Sequence, residues 1–164
     1  MCNTFNLKKA CKDCPFKKGN TYLHPEGLKE RFNHVTKQDR SFSCHKTVDY
    51  DAYNEYREAQ SEIEEILQCM AEDGHSFKEI STERQKLESD PHFIDVRDKY
   101  QTTLKNEMYC AGMLILVKKE NMIFNNFPLR YAVSKGLLDL NQFKDEHEVY
   151  DSIHEAINAH ANGI

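Results

Sequence analysis

Apolar residues recur along most of this chain at steps of three and four, the spacing that lines one side of a helix. Leu28, Phe32 and Val35 form such a stripe behind His24-Pro25-Glu26-Gly27, where Pro25 suits a first helical turn. Tyr53, Tyr56, Ile63, Ile66, Leu67 and Met70 predict a long helix over about 51–71 with an acidic outer face, ended by Asp73-Gly74. A helix over 76–88 follows. Another starts at Asp90-Pro91 and runs to about 105, with Asp90 as N-cap and Phe93, Val96, Tyr100 and Leu104 aligned. Residues 109–117 form the most apolar run; they read equally as a buried strand or a buried helix, because periodicity does not separate the two. Phe127-Pro128-Leu129 is a break, and helices are expected around 129–135 and 145–161. The last of these places Val149, Ile153, Ala156, Ile157 and His160 on one side.

The pattern predicts a mainly α protein: a small single domain with N-terminal loops pinned by a metal centre, and at most one short β element. Residues 1–47 and 108–135 would form the core around the metal. Residues 48–107 would be an acidic helical insertion and 136–164 a C-terminal helix. A length of 164 residues suits one domain. With only 6 Gly and 4 Pro, a turn-rich β-sandwich is disfavoured, and 17 aromatic residues argue against wholesale disorder. No run approaches the length of a membrane span, and Met1-Cys2-Asn3-Thr4 lacks the apolar core of a secretory signal. The expectation is a cytoplasmic, reducing setting with no membrane partner. Six cysteines there do not imply three disulfides.

Charge is segregated. Residues 1–46 hold ten Lys/Arg and four Asp/Glu, a net of +6, whereas residues 47–164 hold 12 and 23, a net of −11. Lys8, Lys9, Lys12, Lys17 and Lys18, interleaved with Phe5 and Phe16, are candidates for contacting nucleic acid or another anion. The same lysines would equally screen a tetrathiolate metal site, whose formal charge is about −2.

Cys11 and Cys14 have the C-x2-C spacing of a metal knuckle, in which a tight turn aims both sulfurs one way. Cys44 and Cys110 bring the thiolates to four, enough for tetrahedral zinc or a [4Fe–4S] cluster. Structural zinc more often uses two knuckles. One knuckle followed by proline, with two distant single cysteines, points to [4Fe–4S], with zinc as the alternative. His45 is either an alternative ligand or a group packed beside the site. The small pair Ala111-Gly112 beside Cys110 permits close backbone approach. Cys69, next to the apolar stripe of the long helix, reads as a small buried thiol, and Cys2 as a non-ligand near a terminus.

Cys11-Lys-Asp-Cys14-Pro-Phe-Lys17, Phe42-Ser-Cys44-His-Lys-Thr47 and Cys110-Ala-Gly112 together resemble a family of small uncharacterised bacterial and phage proteins. Their shared pattern is C-x2-C-P-[WF]-[RK], F-x-C-H-x-T and C-x-G. The resemblance covers roughly 8–47 and 108–135, and implies Cys11, Cys14, Cys44 and Cys110 as the ligand set. It carries no activity.

Other chemistries fit less well. A thioredoxin-like pair requires a βαβ setting that is missing around Cys11 and Cys14. A Cys44–His45 dyad requires neighbours in sequence to face each other. His147, His154 and His160 have the spacing of a solvated helix face rather than of paired ligands. The acids at 62, 64, 65, 72 and 73 lack a calcium-loop pattern. The functional expectation is a metal-centred binding or regulatory module contacting nucleic acid or a host protein. An iron–sulfur enzyme or redox sensor is the alternative.

Overall fold

The computed structural model describes residues 4–163. It is mainly helical, as the hydrophobic spacing predicts. The α-helices among the described residues are α1 (Pro25–Lys37), α2 (Tyr50–Glu72), α3 (Phe77–Glu88), α4 (Pro91–Leu104), α5 (Ala111–Lys119), α6 (Phe127–Ser134) and α7 (Ile153–Gly163). Short 3-10 turns occupy Ile123–Asn125 and Glu146–Glu148. The chain divides into two compact units, Met1–Lys46 with Met108–Ile164, and Thr47–Glu107. No helix among the described residues is long and apolar enough to cross a membrane.

In the Thr47–Glu107 unit, α2, α3 and α4 bury Ile63, Leu67 and Phe93 in a small core. The ends of these helices follow from their caps. Asp49 accepts from the Ala52 N–H, Asp90 from the His92 N–H, and Ser76 and Glu79 form a reciprocal capping box. Gly74, at φ +82°, turns the chain between α2 and α3 in a conformation that glycine adopts without strain. Tyr56 stacks on Tyr100 with ring centroids 4.8 Å apart, and Arg84 forks onto Glu64 at 2.8 and 3.1 Å. Cys69 does not join this core. It is exposed, one position off the Ile63–Leu67 line, so the expectation of a buried thiol is corrected.

The other unit is built around α5. Met113, Leu114, Ile115, Leu116 and Val117 are all fully buried, and a helix apolar on every side belongs at the centre of a core. Full burial contributes about 1.5–3 kcal/mol per large apolar side chain. The 109–117 run is therefore a helix that begins after Cys110, and its lead-in forms only an isolated antiparallel bridge, Ser43 to Tyr109. Leu28, Phe32 and Val35 of α1 are buried in the same core.

The continuous helix expected over 145–161 is broken. Lys18 N–H donates to Glu148 O at 2.7 Å and Tyr150 N–H to Phe16 O at 3.1 Å, so residues 148–150 pair with the N-terminal loop instead of with each other. Helix α7 begins only at Ile153, whose N–H is held by Glu120 Oε1 at 2.7 Å.

Candidate metal centre

Three chain segments converge on the head of α5. The first is the knuckle. Cys14 N–H donates to Cys11 O at 3.1 Å and Lys17 N–H to Cys14 O at 3.0 Å, two successive turns. The Asn20 side-chain amide donates to Lys12 O at 2.8 Å and to Cys14 O at 2.9 Å, tying the loop across its base. The second segment is extended and carries Cys44, whose N–H donates to Met108 O at 2.8 Å. The third is the entry to α5, where Cys110 N–H donates back to Phe42 O at 2.9 Å and Cys110 itself is the N-cap residue. This short antiparallel ladder sets Cys44 opposite Met108 and Cys110 opposite Phe42, and so brings the two cysteine segments side by side although 65 residues separate Cys44 from Cys110 in sequence.

The predicted thiols form two close sets, Cys11 with Cys44 and His45 and Cys14 with Cys110, linked through the contact of Cys14 with Cys11. Cys14, Cys44 and Cys110 are buried and Cys11 is half-buried. Cys14 Sγ lies 3.8 Å from Cys110 Sγ. Cys11 Sγ, Cys44 Sγ and a ring nitrogen of His45 lie within 4.8 Å of one another, a group that can hold a metal ion. His45 Nδ1 is 4.0 Å from Cys11 Sγ. The five described cysteines are all free thiols; Cys2 lies outside the described residues.

Gly112 explains how the sulfurs fit. A Cβ at Gly112 would sit 2.3 Å from Cys14 Sγ, and 3.4 and 3.5 Å from the Cβ atoms of Ala10 and Phe16. The knuckle thus packs directly on the backbone of α5. Behind it, fully buried His160 of α7 lies with Nε2 2.9 Å from Pro15 O and Nδ1 3.2 Å from the Leu23 N–H. Nδ1 also lies 3.0 Å from Leu23 O. His160 is thus a core group, correcting its reading as a solvated residue; its place beside Ile153, Ala156 and Ile157 on the apolar side of α7 was the signal. His147 and His154 are exposed, as expected. Across the front of the knuckle, Lys46 pairs with Asp13 at 2.7 Å, linking the two cysteine loops through a charge pair that the sequence spacing does not reveal.

Crowding sets the thiol electrostatics. The Cys14 thiol is pushed far up by its hydrogen bonds to Cys11 and Cys110 and by burial. Cys11 is correspondingly lowered to about 6, chiefly by Cys14, with His45 and Cys44 adding to the effect. Cys110 is lowered by Cys14 against its own burial, with help from the Met113 and Gly112 amides at the start of α5. Cys44 is pushed up to about 11, first by desolvation. Four thiols in one dry place oppose simultaneous ionisation. A cation at their centre removes that opposition, and the donor set fits a thiophilic metal.

The N-terminal lysines have varied surroundings. Lys17 pairs with Glu148 at 2.7 Å and Lys18 with Asp151 at 2.9 Å, so both fasten the head to the C-terminal segment. Lys8 donates to Gln142. Lys9 and Lys12 are exposed and form no ion pair among the described residues. Comparison with family models, with curated proteins and with solved structures returns no match, so the site is read from its own geometry.

Proposed function

We propose that this protein is a binding module whose larger unit is stapled by one tetrahedral metal ion on Cys11, Cys14, Cys44 and Cys110, with zinc as the ion. The observation that carries this reading is the gathering of the four thiols at the head of α5, with Cys14 Sγ 3.8 Å from Cys110 Sγ and Cys11 Sγ and Cys44 Sγ within 4.8 Å of each other. Zinc–thiolate bonds of about 2.3 Å at tetrahedral angles put neighbouring sulfurs about 3.8 Å apart. A cubane gives each thiolate its own iron and spreads the sulfurs farther. Four protein thiolates also leave no open coordination position, which suits a structural site rather than a catalytic one. Because the ligands come from remote segments, metal-binding free energy is folding free energy for this unit.

A [4Fe–4S] cluster is the second reading, supported by Pro15 directly after Cys14 and by the single knuckle. His45, close to Cys11 and Cys44, would replace a thiolate in a three-cysteine, one-histidine zinc site. Anaerobic purification with metal analysis and a visible spectrum tests all three. Colourless protein with one zinc per chain, lost in Cys14→Ser and in Cys110→Ser, is the expected result. Brown protein with iron and sulfide moves the site to the cluster. Retention of zinc by Cys110→Ser with loss in His45→Ala moves it to the mixed set. Protein without metal under all conditions overturns the proposal.

A further inference from the structure

We propose that α6 and the turn before it form a binding surface for single-stranded nucleic acid, with Phe127 and Tyr131 as base-stacking platforms and Arg130 and Lys135 as phosphate contacts. The inference rests on reading the larger unit as a binding module and is independent of which metal it holds. Phe127 and Tyr131 are 58% and 51% exposed, and Phe124 on the preceding turn is 57% exposed. Three large rings in eight residues remain in water although the core is well filled, and exposed aromatic groups of this kind mark interaction sites.

The rings are ordered. Phe127 and Tyr131, one helical turn apart, stack with centroids 6.5 Å apart and 27° between planes. Each carries a cation: the Arg130 guanidinium is 5.5 Å from the Phe127 centroid and Lys135 Nζ is 5.7 Å from that of Tyr131. Neither cation forms an ion pair among the described residues, whereas Lys17, Lys18, Lys118 and Lys119 all do. The nearby carboxylate of Asp39 is engaged by the Phe127 backbone N–H at 2.6 Å. Alternating rings and unpaired cations match a strand of alternating bases and phosphates, since any base can stack and any phosphate attracts a cation. The charge balance agrees. This unit holds 15 Lys/Arg against 11 Asp/Glu, a net of +4, while residues 47–107 carry a net of −9. A purely apolar protein partner would leave both cations unanswered.

The test is fluorescence anisotropy of the full chain with labelled oligothymidylate and oligouridylate, and with a duplex of equal length. Binding of at least one single strand in preference to the duplex is expected, with log K falling against log salt at a slope of about −1.4 for two phosphate contacts. Phe127→Ala with Tyr131→Ala should weaken binding at least tenfold, by roughly the loss of one to two stacked bases. Arg130→Gln should make the slope shallower by about 0.7. Metal content and helicity are measured on every variant, which separates this test from that of the metal centre. If the double variant loses helicity, Arg130→Gln and Lys135→Gln, which disturb no buried group, decide the matter. No binding by the wild type, a duplex preference, or unchanged affinity in the variants would overturn the proposal. So would concentration-dependent self-association abolished by Phe127→Ala, which would make the occupant a second copy of the chain.

Discussion

Cys14 Sγ fills the space that a side chain on Gly112 would need: a Cβ there would sit 2.3 Å from the sulfur. This contact gives the Cys110-Ala-Gly112 run a physical meaning. The third ligand segment must offer bare backbone so that the knuckle of the first can seat on the head of α5.

Gly112→Ala therefore tests the site without touching a ligand. An alanine is well tolerated in a helix and is intrinsically about 1 kcal/mol better there than glycine. A net loss of stability must come from displacing the knuckle, and overpacking of this kind costs typically about 1–3 kcal/mol. Reduced metal occupancy and a lower thermal midpoint are expected. An alanine variant as stable and as well loaded as the parent would refute the close packing.

His160→Ala should destabilise the protein although it lies far from the thiols in sequence. It strands Pro15 O in the core, and an unsatisfied buried acceptor costs about 1–3 kcal/mol, in addition to the cavity. His160→Gln, which keeps a donor, should recover part of the loss. Denaturant midpoints at fixed metal concentration measure both.

Cys69→Ser should be silent. The thiol is exposed on α2, so the change in stability should stay within about 0.5 kcal/mol. Metal stoichiometry should be identical. A drop in metal content would bring Cys69 into the ligand set.

Asp151 predicts a pH effect. Its carboxylate accepts from Lys119 at 2.7 Å and Lys18 at 2.9 Å, and Lys119 first, then Lys18, hold it down to about 2. The native value lies below that of the unfolded chain, so the pair stabilises fully above about pH 4 and is lost as pH falls toward 2. Asp151→Asn should lower the thermal midpoint slightly at pH 7, with the gap closing on acidification through pH 3. The effect is small because the group is exposed and screened by solvent. A gap that widens in acid would contradict the sign.

How far the sequence alone reaches depends on the range of the interaction. Helices α2 and α4 are legible because stripes, caps and Asp90-Pro91 are local signals. The C-x2-C knuckle and the Ala111-Gly112 pair are also local. The 109–117 run is not, since only its enclosure by Phe16, Leu28 and Ile153 decides for a helix. Residues 148–150 abandon helix because Phe16 and Lys18 supply backbone partners from 130 residues away. His160 is decided in the same way: whether a histidine on an apolar side is core or surface depends on the backbone groups it finds, and those belong to Pro15 and Leu23. The lysines show the converse. Their number is visible in the sequence, but their pairing with Glu148 and Asp151 is not.

The separation of Cys44 from Cys110 has a consequence for biosynthesis. A ribosome adding about 5–20 residues per second takes roughly 3–13 seconds to traverse the intervening 65 residues. Throughout that interval the nascent chain carries Cys11, Cys14 and Cys44 without Cys110. On the four-thiolate reading the complete ligand set exists only once translation has passed Cys110, whereas a site that uses His45 would be complete before the helical unit is made.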